Sequence, residues 1–334
     1  MTLLVEAPGL LTTLQDLGRA GYQHLGVGPG GAMDPVSHRI ANLLVGNPPG
    51  AAALEITLAG PRLRFEDDAL VAVCGGDFKP RAAGLPVRRW RPVLVRAGSA
   101  LEFGGAVQGA RCYLAVAGGF QVPAVLGSAS TNLAARFGGF RGRALQAGDR
   151  LATAPPAPGL YPALQREFSR VPEPVHHLAW FAAWQEELDF LRPARLRLIP
   201  GPQWPLLTGA SREALLGGTF RAAARSDRMG IRLQGPPLAL ERPLEMLSAG
   251  VAPGTLQLPP DGSPILLMAD RQTTGGYPRL GEVATVDLPR AAQLRPGEPL
   301  RFEPIALEAA QDLFLRREAR LRQLAASLAE RQTH

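Results

Sequence analysis

Short apolar runs alternate with turn residues through most of this chain, a pattern of β-strands rather than long helices. It predicts strands at Leu3–Glu6, Arg62–Phe65, Leu70–Cys74, Val93–Val95, Leu101–Phe103 and Arg111–Ala117. One clean helix interrupts them. Asp34 is a good N-cap, Pro35 suits the first turn, and the helical pattern from Val36 to Val45 stops at Gly46. Residues 154–159 read Ala-Pro-Pro-Ala-Pro-Gly, a stiff linker signal, and a helical stretch is predicted near Leu178–Leu191. A second β region opens at Arg195–Ile199 and continues at Thr255–Gln257, Ile265–Met268, Glu282–Val286 and Leu300–Phe302. Ala306–Gln332 is predicted as a helix, since Leu307, Phe314, Leu321 and Leu328 recur every seven residues. Such a face packs on its own barrel or docks a partner protein.

The 334 residues are too many for one ordinary core. The predicted organisation is a mainly β unit over residues 1–153, a linker with a helix over 154–194, a second β unit over 195–303, and a C-terminal helix over 304–334. Weak internal repetition favours two related barrels. Ile56–Leu63 matches Ile231–Leu238, and the Gly-x-x-Leu-x-Phe of Gly98–Phe103 recurs at Gly297–Phe302. Apolar content of 46%, charged content of 19%, and Gly 38 with Pro 32 fit a turn-rich globular β protein.

The net charge of +7 invites a nucleic-acid reading, but basic residues are scattered and no binding motif accompanies them. The excess is nearly all arginine, and Lys79 is the only lysine. Where arginine has replaced lysine almost everywhere, the surviving lysine is a candidate for a chemical role that a planar guanidinium cannot fill. The lysine context, Asp77-Phe78-Lys79-Pro80, rules out a phosphate-binding Gly-Lys-Ser/Thr loop. The histidines lack ligand spacing, so no metal is expected, and no Gly-x-Ser-x-Gly elbow occurs. Gly26–Gly31 matches a dinucleotide fingerprint without a following βαβ unit, so it reads as a loop feeding the helix at Asp34. Met1–Glu6 has no secretory start, no run is long enough for a membrane span, and Cys74 and Cys112 sit in strands as buried thiols. A cytoplasmic protein is expected.

The densest polar cluster runs from Gly254 to Asp287. Gln257 ends one strand, Asp261-Gly262 forms a turn, and Ile265–Met268 leads into Asp270-Arg271-Gln272-Thr273-Thr274-Gly275-Gly276-Tyr277. Acid, base, amide and hydroxyls at a strand end suit a polar pocket on rigid elements. Thr273–Gly276 also suits a nest of backbone amides for an anion.

Here the sequence resembles the carboxyltransferase or allophanate hydrolase subunit 2 family. The resemblance runs through Pro8–Arg19, Gly31–Asp34, Ala41-Asn42, Gly46-Asn47, Leu54–Thr57, Gly201–Gln203, Ser226–Gly230 and the Asp270–Pro278 block. It implies tandem cyclophilin-like β-barrels and membership of a 5-oxoprolinase complex, which opens 5-oxo-L-proline to L-glutamate with ATP and includes A and B subunits as partners. ATP is then expected at, or shared with, a partner, with no covalent biotin on this chain and no activity alone. Other members imply the carboxyltransferase part of a biotin-dependent urea or amide carboxylase, or a non-enzymatic antagonist of a kinase inhibitor. On residue chemistry and motif matching, Asp270, Arg271 and Lys79 are the expected catalytic groups. Gln15, Asp16, Arg19, Asn42, Asn47, Gln257, Asp261, Gln272, Thr273, Thr274, Gly275, Gly276 and Tyr277 are the expected substrate-binding ones.

Overall fold

The structure, a computed structural model, describes residues 1–156, 172–184 and 193–330, with residues 166, 169 and 190 besides. The chain divides into two compact units. Met1–Gly18, Asp34–Leu188 and Ala319–His334 form the first, and Arg19–Met33 with Asp189–Glu318 form the second. The second unit therefore takes in a short segment from near the N-terminus, which no composition shift announces.

The first unit holds two six-stranded antiparallel sheets. One has the order Arg150–Ala152, Thr2–Ala7, Arg62–Phe65, Ala100–Glu102, Arg81–Ala82, Leu85–Pro86. The other runs Val175–His177, Pro92–Val95, Ala69–Asp77, Gln108–Val116, Ala53–Thr57, Leu11–Gln15. Alternation decides which side chains enter the core: Leu3 and Val5, Leu63 and Phe65, and Leu54 and Ile56 are all fully buried. Cys112 lies among them, and Cys74 is equally buried. Burial pushes the Cys112 thiol up to about 12 and holds Cys74 well above the usual thiol range, so both are packing groups.

The predicted helix forms over Pro35–Leu44 and packs on the two long central strands. Its cap is built from buried polar groups. The Asp34 carboxylate accepts from the Ser37 amide at 3.0 Å and the Ser37 hydroxyl at 2.6 Å. The Asp34 amide donates to the Tyr113 hydroxyl at 2.8 Å, and that hydroxyl donates to Glu55 Oε2 at 2.7 Å. Burial, then the nearby Glu55 and Asp34 carboxylates, hold the Tyr113 phenol far above its ordinary range, so it remains a donor.

The second unit encloses its core in a closed seven-stranded barrel. The order is Ala194–Pro200, Arg279–Val283, Thr255–Gln257, Ile265–Leu267, Gly230–Gln234, Phe220–Ala222, Pro299–Pro304. The barrel closes through a parallel pairing of Ala194–Leu198 with Leu300–Pro304. Phe220 and Phe302 meet edge-on inside it, with ring centres 5.9 Å apart. The mainly β reading thus holds, with one unit closed into a barrel and the other built from two sheets.

Two predicted elements differ. The strand expected over Glu282–Val286 ends at Val283, and Thr285–Asp287 turns into a short 3-10 segment before the helix Leu288–Ala292. The cause is Asp287, fully buried and held by the Arg197 amide and Nε at 2.8 Å each and by Arg290 at 3.0 Å. The helix expected near Leu178–Leu191 is absent over 178–184, where the Leu178 and Ala182 amides donate to Pro92 and Trp90. Residues 185–189 and 191 lie outside the described residues. The C-terminal helix is long, Leu307–Glu330, with Leu321 and Leu328 buried and Leu307 and Phe314 partly open. Among the described residues no helix is long and apolar enough to cross a membrane.

Tyr113→Phe removes the hydroxyl joining Glu55 to the Asp34 amide and leaves both buried groups short of a partner. Urea unfolding is expected to register a loss of about 1–3 kcal/mol for that substitution.

Candidate functional site

The polar block after Ile265–Leu267 lies in the second unit and is organised by one ion pair. Arg228 grips Asp270 with both arms, Nε to Oδ2 at 2.8 Å and Nη2 to Oδ1 at 2.9 Å. The same Nη2 donates to the Gly31 carbonyl at 2.6 Å, and the Asp270 amide returns to the Arg228 carbonyl at 2.9 Å. Both side chains are nearly buried, 5% and 12% exposed, so Asp270 acts here as a structural anchor. Gly26–Gly31 is the surface this pair holds. A Cβ on Gly30, at φ +63°, would sit 3.3 Å from Arg19 Nη1 and 3.5 Å from Asp270 Oδ1. A Cβ on Gly28 would meet the Arg271 carbonyl at 2.9 Å. These glycines allow the loop to lie directly against residues 270 and 271. Their spacing reflects that contact rather than a dinucleotide.

Beyond Asp270 the block feeds separate concavities. Gln257, Gln272 and Tyr277 line a small cavity of about 230 Å³ together with Asp227 and Met229. Gln257 is buried, its Nε2 has no hydrogen-bond partner among the described residues, and its amide lies against Gly275, where a Cβ would fall 2.4 Å from Nε2. Thr274 and Gly275 pair with Gly250 and Ala249 in a two-stranded ribbon. Gly276 and Tyr277 also border a separate cavity beside Arg242–Met246. Asp261 accepts from the Ser263 amide at 2.9 Å and closes its own turn, in a groove with Arg225 and Arg232.

Arg271 and Thr273 face a larger cavity of about 820 Å³, with Arg279, Glu282 and an apolar wall that includes Phe314. Arg271 is 7% exposed; its Nε donates to the Val251 carbonyl at 3.1 Å and its Nη1 to Met268 at 3.5 Å. Burial lowers its pKa from the usual guanidinium value, with Glu282 opposing. Glu282 takes the Thr255 hydroxyl at 2.9 Å from each oxygen. Burial raises the Glu282 pKa, against the pull of Thr255, Arg279 and Arg271.

The expected residues of the first unit have internal duties. Asp16 Oδ1 accepts from the Gly18 amide at 2.7 Å and from the Ser128 and Ser130 hydroxyls at 2.7 and 2.5 Å, while Oδ2 takes the Ala129 amide at 2.6 Å. It ties down the loop Ser128–Ser130. Gln15 Nε2 donates to Thr13 and Thr131, and its buried Oε1 has no partner among the described residues. Its carbonyl meets His38 Nε2 at 3.1 Å, and burial lowers the His38 pKa, keeping that ring neutral. Asn42 and Asn47 bond to each other at 3.0 Å and to backbone at Ala51, Val116 and Gly118. They fix the loop after the helix. Lys79 is exposed, holds φ +45°, and lines a groove with Arg88 and Arg91. Among the described residues no cluster of three or more potential ligands could hold a metal.

Against known families, residues 25–304 match the model of the carboxyltransferase domain, subdomain A and B. The chain belongs to this carboxyltransferase family. It is 37% identical over 312 residues to the 5-oxoprolinase C subunit of Haemophilus influenzae, covering 93% of this chain and 94% of that one. The Escherichia coli 5-oxoprolinase C subunit is 38% identical over 309 residues, 92% and 93% of the two chains. Among solved structures, the K. lactis urea amidolyase aligns with 97% of this chain at a TM-score of 0.85 and 29% identity, and this chain spans 20% of it.

In this carboxyltransferase chain, the second unit brings together Arg19, Asp270 and the cavity residues Gln257, Gln272 and Tyr277. Lys79 lies in the other unit. Three contributors went unassigned on sequence grounds: Arg228, Arg279 and Glu282. Arg228 stands within the Ser226–Gly230 motif, and its signal is a lone arginine in a glycine-bounded polar turn.

Arg228→Met is expected to destabilise the protein by about 3–5 kcal/mol, because Asp270 would remain buried without its cation. Restoring charge balance with Asp270→Asn in the same chain recovers part of that loss, and denaturant titration of the three variants reads it. Glu282 gives a pH signature. Its folded pKa lies above the unfolded one, so the folded state keeps a proton longer, and stability falls as pH rises from the ordinary glutamate range through the folded value. Glu282→Gln is expected to flatten that fall, measured by urea unfolding between about pH 4 and 7.

Proposed function

We propose that this chain is the C subunit of a 5-oxoprolinase, acting with A and B subunits in the ATP-dependent opening of 5-oxo-L-proline to L-glutamate. The observation that carries the reading is the end-to-end correspondence with two 5-oxoprolinase C subunits at 37% and 38% identity. A cavity of about 230 Å³ lined by Gln257 and Gln272 supports it, since two amides beside a tyrosine suit a small lactam.

A lactam carbonyl is a poor electrophile, and phosphorylation of its oxygen makes it labile while developing negative charge. In this reading Gln257 and Gln272 orient the amide in the small cavity, and Asp270 positions the adjoining loop through Arg228. The sequence holds no Gly-Lys-Ser/Thr phosphate loop, which supports ATP bound at or shared with a partner. Two free buried cysteines accord with a reducing compartment, the cytoplasm. The urea carboxylase reading is favoured by the fold match to urea amidolyase, but the identity there is lower and spans a fifth of that chain.

Reconstitution decides between them. Purified chain with candidate A and B subunits is expected to hydrolyse ATP in response to 5-oxoproline, and the isolated chain to show no turnover. Turnover driven by urea instead, or binding to a kinase inhibitor with no substrate-driven turnover, would replace this reading.

A further inference from the structure

We propose that the large cavity formed by Arg271, Arg279, Glu282 and the apolar start of the C-terminal helix binds a second ligand: a small α-amido carboxylate with an apolar side chain, such as an N-acylated aromatic amino acid. Such a ligand lies outside the reading above, and its binding does not rest on that reading.

Strand register supplies the first observation. Thr255 pairs with Glu282 and Leu256 with Gly281, but Gln257 pairs with Arg279, so Leu280 is an extra residue in that strand. Residues three apart on a regular strand face opposite sides. The bulge rotates Arg279 onto the side of Glu282, and both line the same cavity. Such bulges recur where a side chain must be re-aimed at a site.

The donors are then unbalanced. Arg279 Nη1 donates to the Gly250 carbonyl at 3.2 Å, while its Nε is buried and has no partner among the described residues. Arg271 spends Nε and Nη1 on the Val251 and Met268 carbonyls, and its Nη2 makes no bond to the described residues. Neither guanidinium forms an ion pair with Glu282 or any other carboxylate among the described residues. Two cations, one of them 7% exposed, therefore share a pocket with one carboxyl group, and a planar oxyanion matches both forks. Glu282 accepts only the Thr255 hydroxyl among the described residues. Its remaining lone pairs suit an N–H donor next to that oxyanion. Ile199, Leu307 and Phe314 line the same cavity, with Leu307 50% and Phe314 38% exposed, apolar surface for an apolar body. At about 820 Å³ the cavity exceeds what a five-membered lactam fills.

The test uses the isolated full-length chain and isothermal titration with N-acetyl-L-phenylalanine, N-acetyl-L-phenylalaninamide, 3-phenylpropionate and 5-oxoproline. Saturable binding of N-acetylphenylalanine is expected, weakened roughly ten- to hundredfold when the carboxylate becomes an amide. Arg279→Gln is expected to cause a loss of the same order, and Arg279→Lys a smaller one, since the charge stays and the fork goes. Glu282→Gln lowers affinity for N-acetylphenylalanine and not for 3-phenylpropionate; Phe314→Ala lowers it for both and leaves 5-oxoproline unaffected. Thermal unfolding of each variant confirms that it is folded. No saturable binding, equal affinity for acid and amide, or wild-type binding by folded Arg279 variants would each overturn the proposal. So would tighter, Arg279-dependent binding of 5-oxoproline, which would return the cavity to the lactam. Turnover by the reconstituted complex is a separate readout, so failure here leaves the 5-oxoprolinase assignment standing.

Discussion

The second unit's site rests on one buried guanidinium. Arg228 holds both oxygens of Asp270 and the Gly31 carbonyl, fixing the residue where the polar block leaves its strand and the glycine-rich loop lying against it. A buried pair of this kind adds little net stability, because desolvation of two charges offsets most of their attraction. What it supplies is geometry. The loop from Gly26 to Gly31 has no regular structure of its own; Gly28 permits a backbone contact too close for a side chain, and Gly30 takes the left-handed φ of +63°.

From that fixed point the block distributes its side chains. The chain between the strand ending at Leu267 and the ribbon at Thr274 turns successive side chains apart, so Gln272 joins Gln257 at a small cavity while Arg271 and Thr273 line a large one. The ribbon at Thr274–Gly275 keeps a backbone without Cβ over the Gln257 amide. The bulge at Leu280 overrides alternation once, bringing Arg279 to Glu282. Short strands with local irregularities thus give one barrel wall two concavities of different chemistry.

The N-terminal motif residues teach a different lesson. Asp16, Asn42 and Asn47 stand among the expected site residues because they fall in the motifs that carry the family resemblance. Each proves to be saturated by backbone amides, carbonyls and serine hydroxyls. Buried polar groups must be bonded, so a polar residue fixed by its neighbours marks a loop that must not move as readily as it marks a ligand. Gln15 and His38 differ in each keeping one buried polar atom unbonded among the described residues.

The β character, the Asp34-capped helix, the C-terminal helix and most strands of both β regions were legible in the residues alone, because they follow from local periodicity and capping chemistry. Ordered motifs led from the same residues to the carboxyltransferase family. Folding in three dimensions was needed to join Arg19–Met33 to the second unit, to pair Asp270 with Arg228, and to turn Arg279 toward Glu282. Those outcomes depend on contacts between residues far apart in the chain, or on a single extra residue in a ladder, and neither leaves a periodic trace. The shortened strand after Val283 has the same origin: the long-range bonds from Arg197 to buried Asp287 override a local pattern that reads as extended.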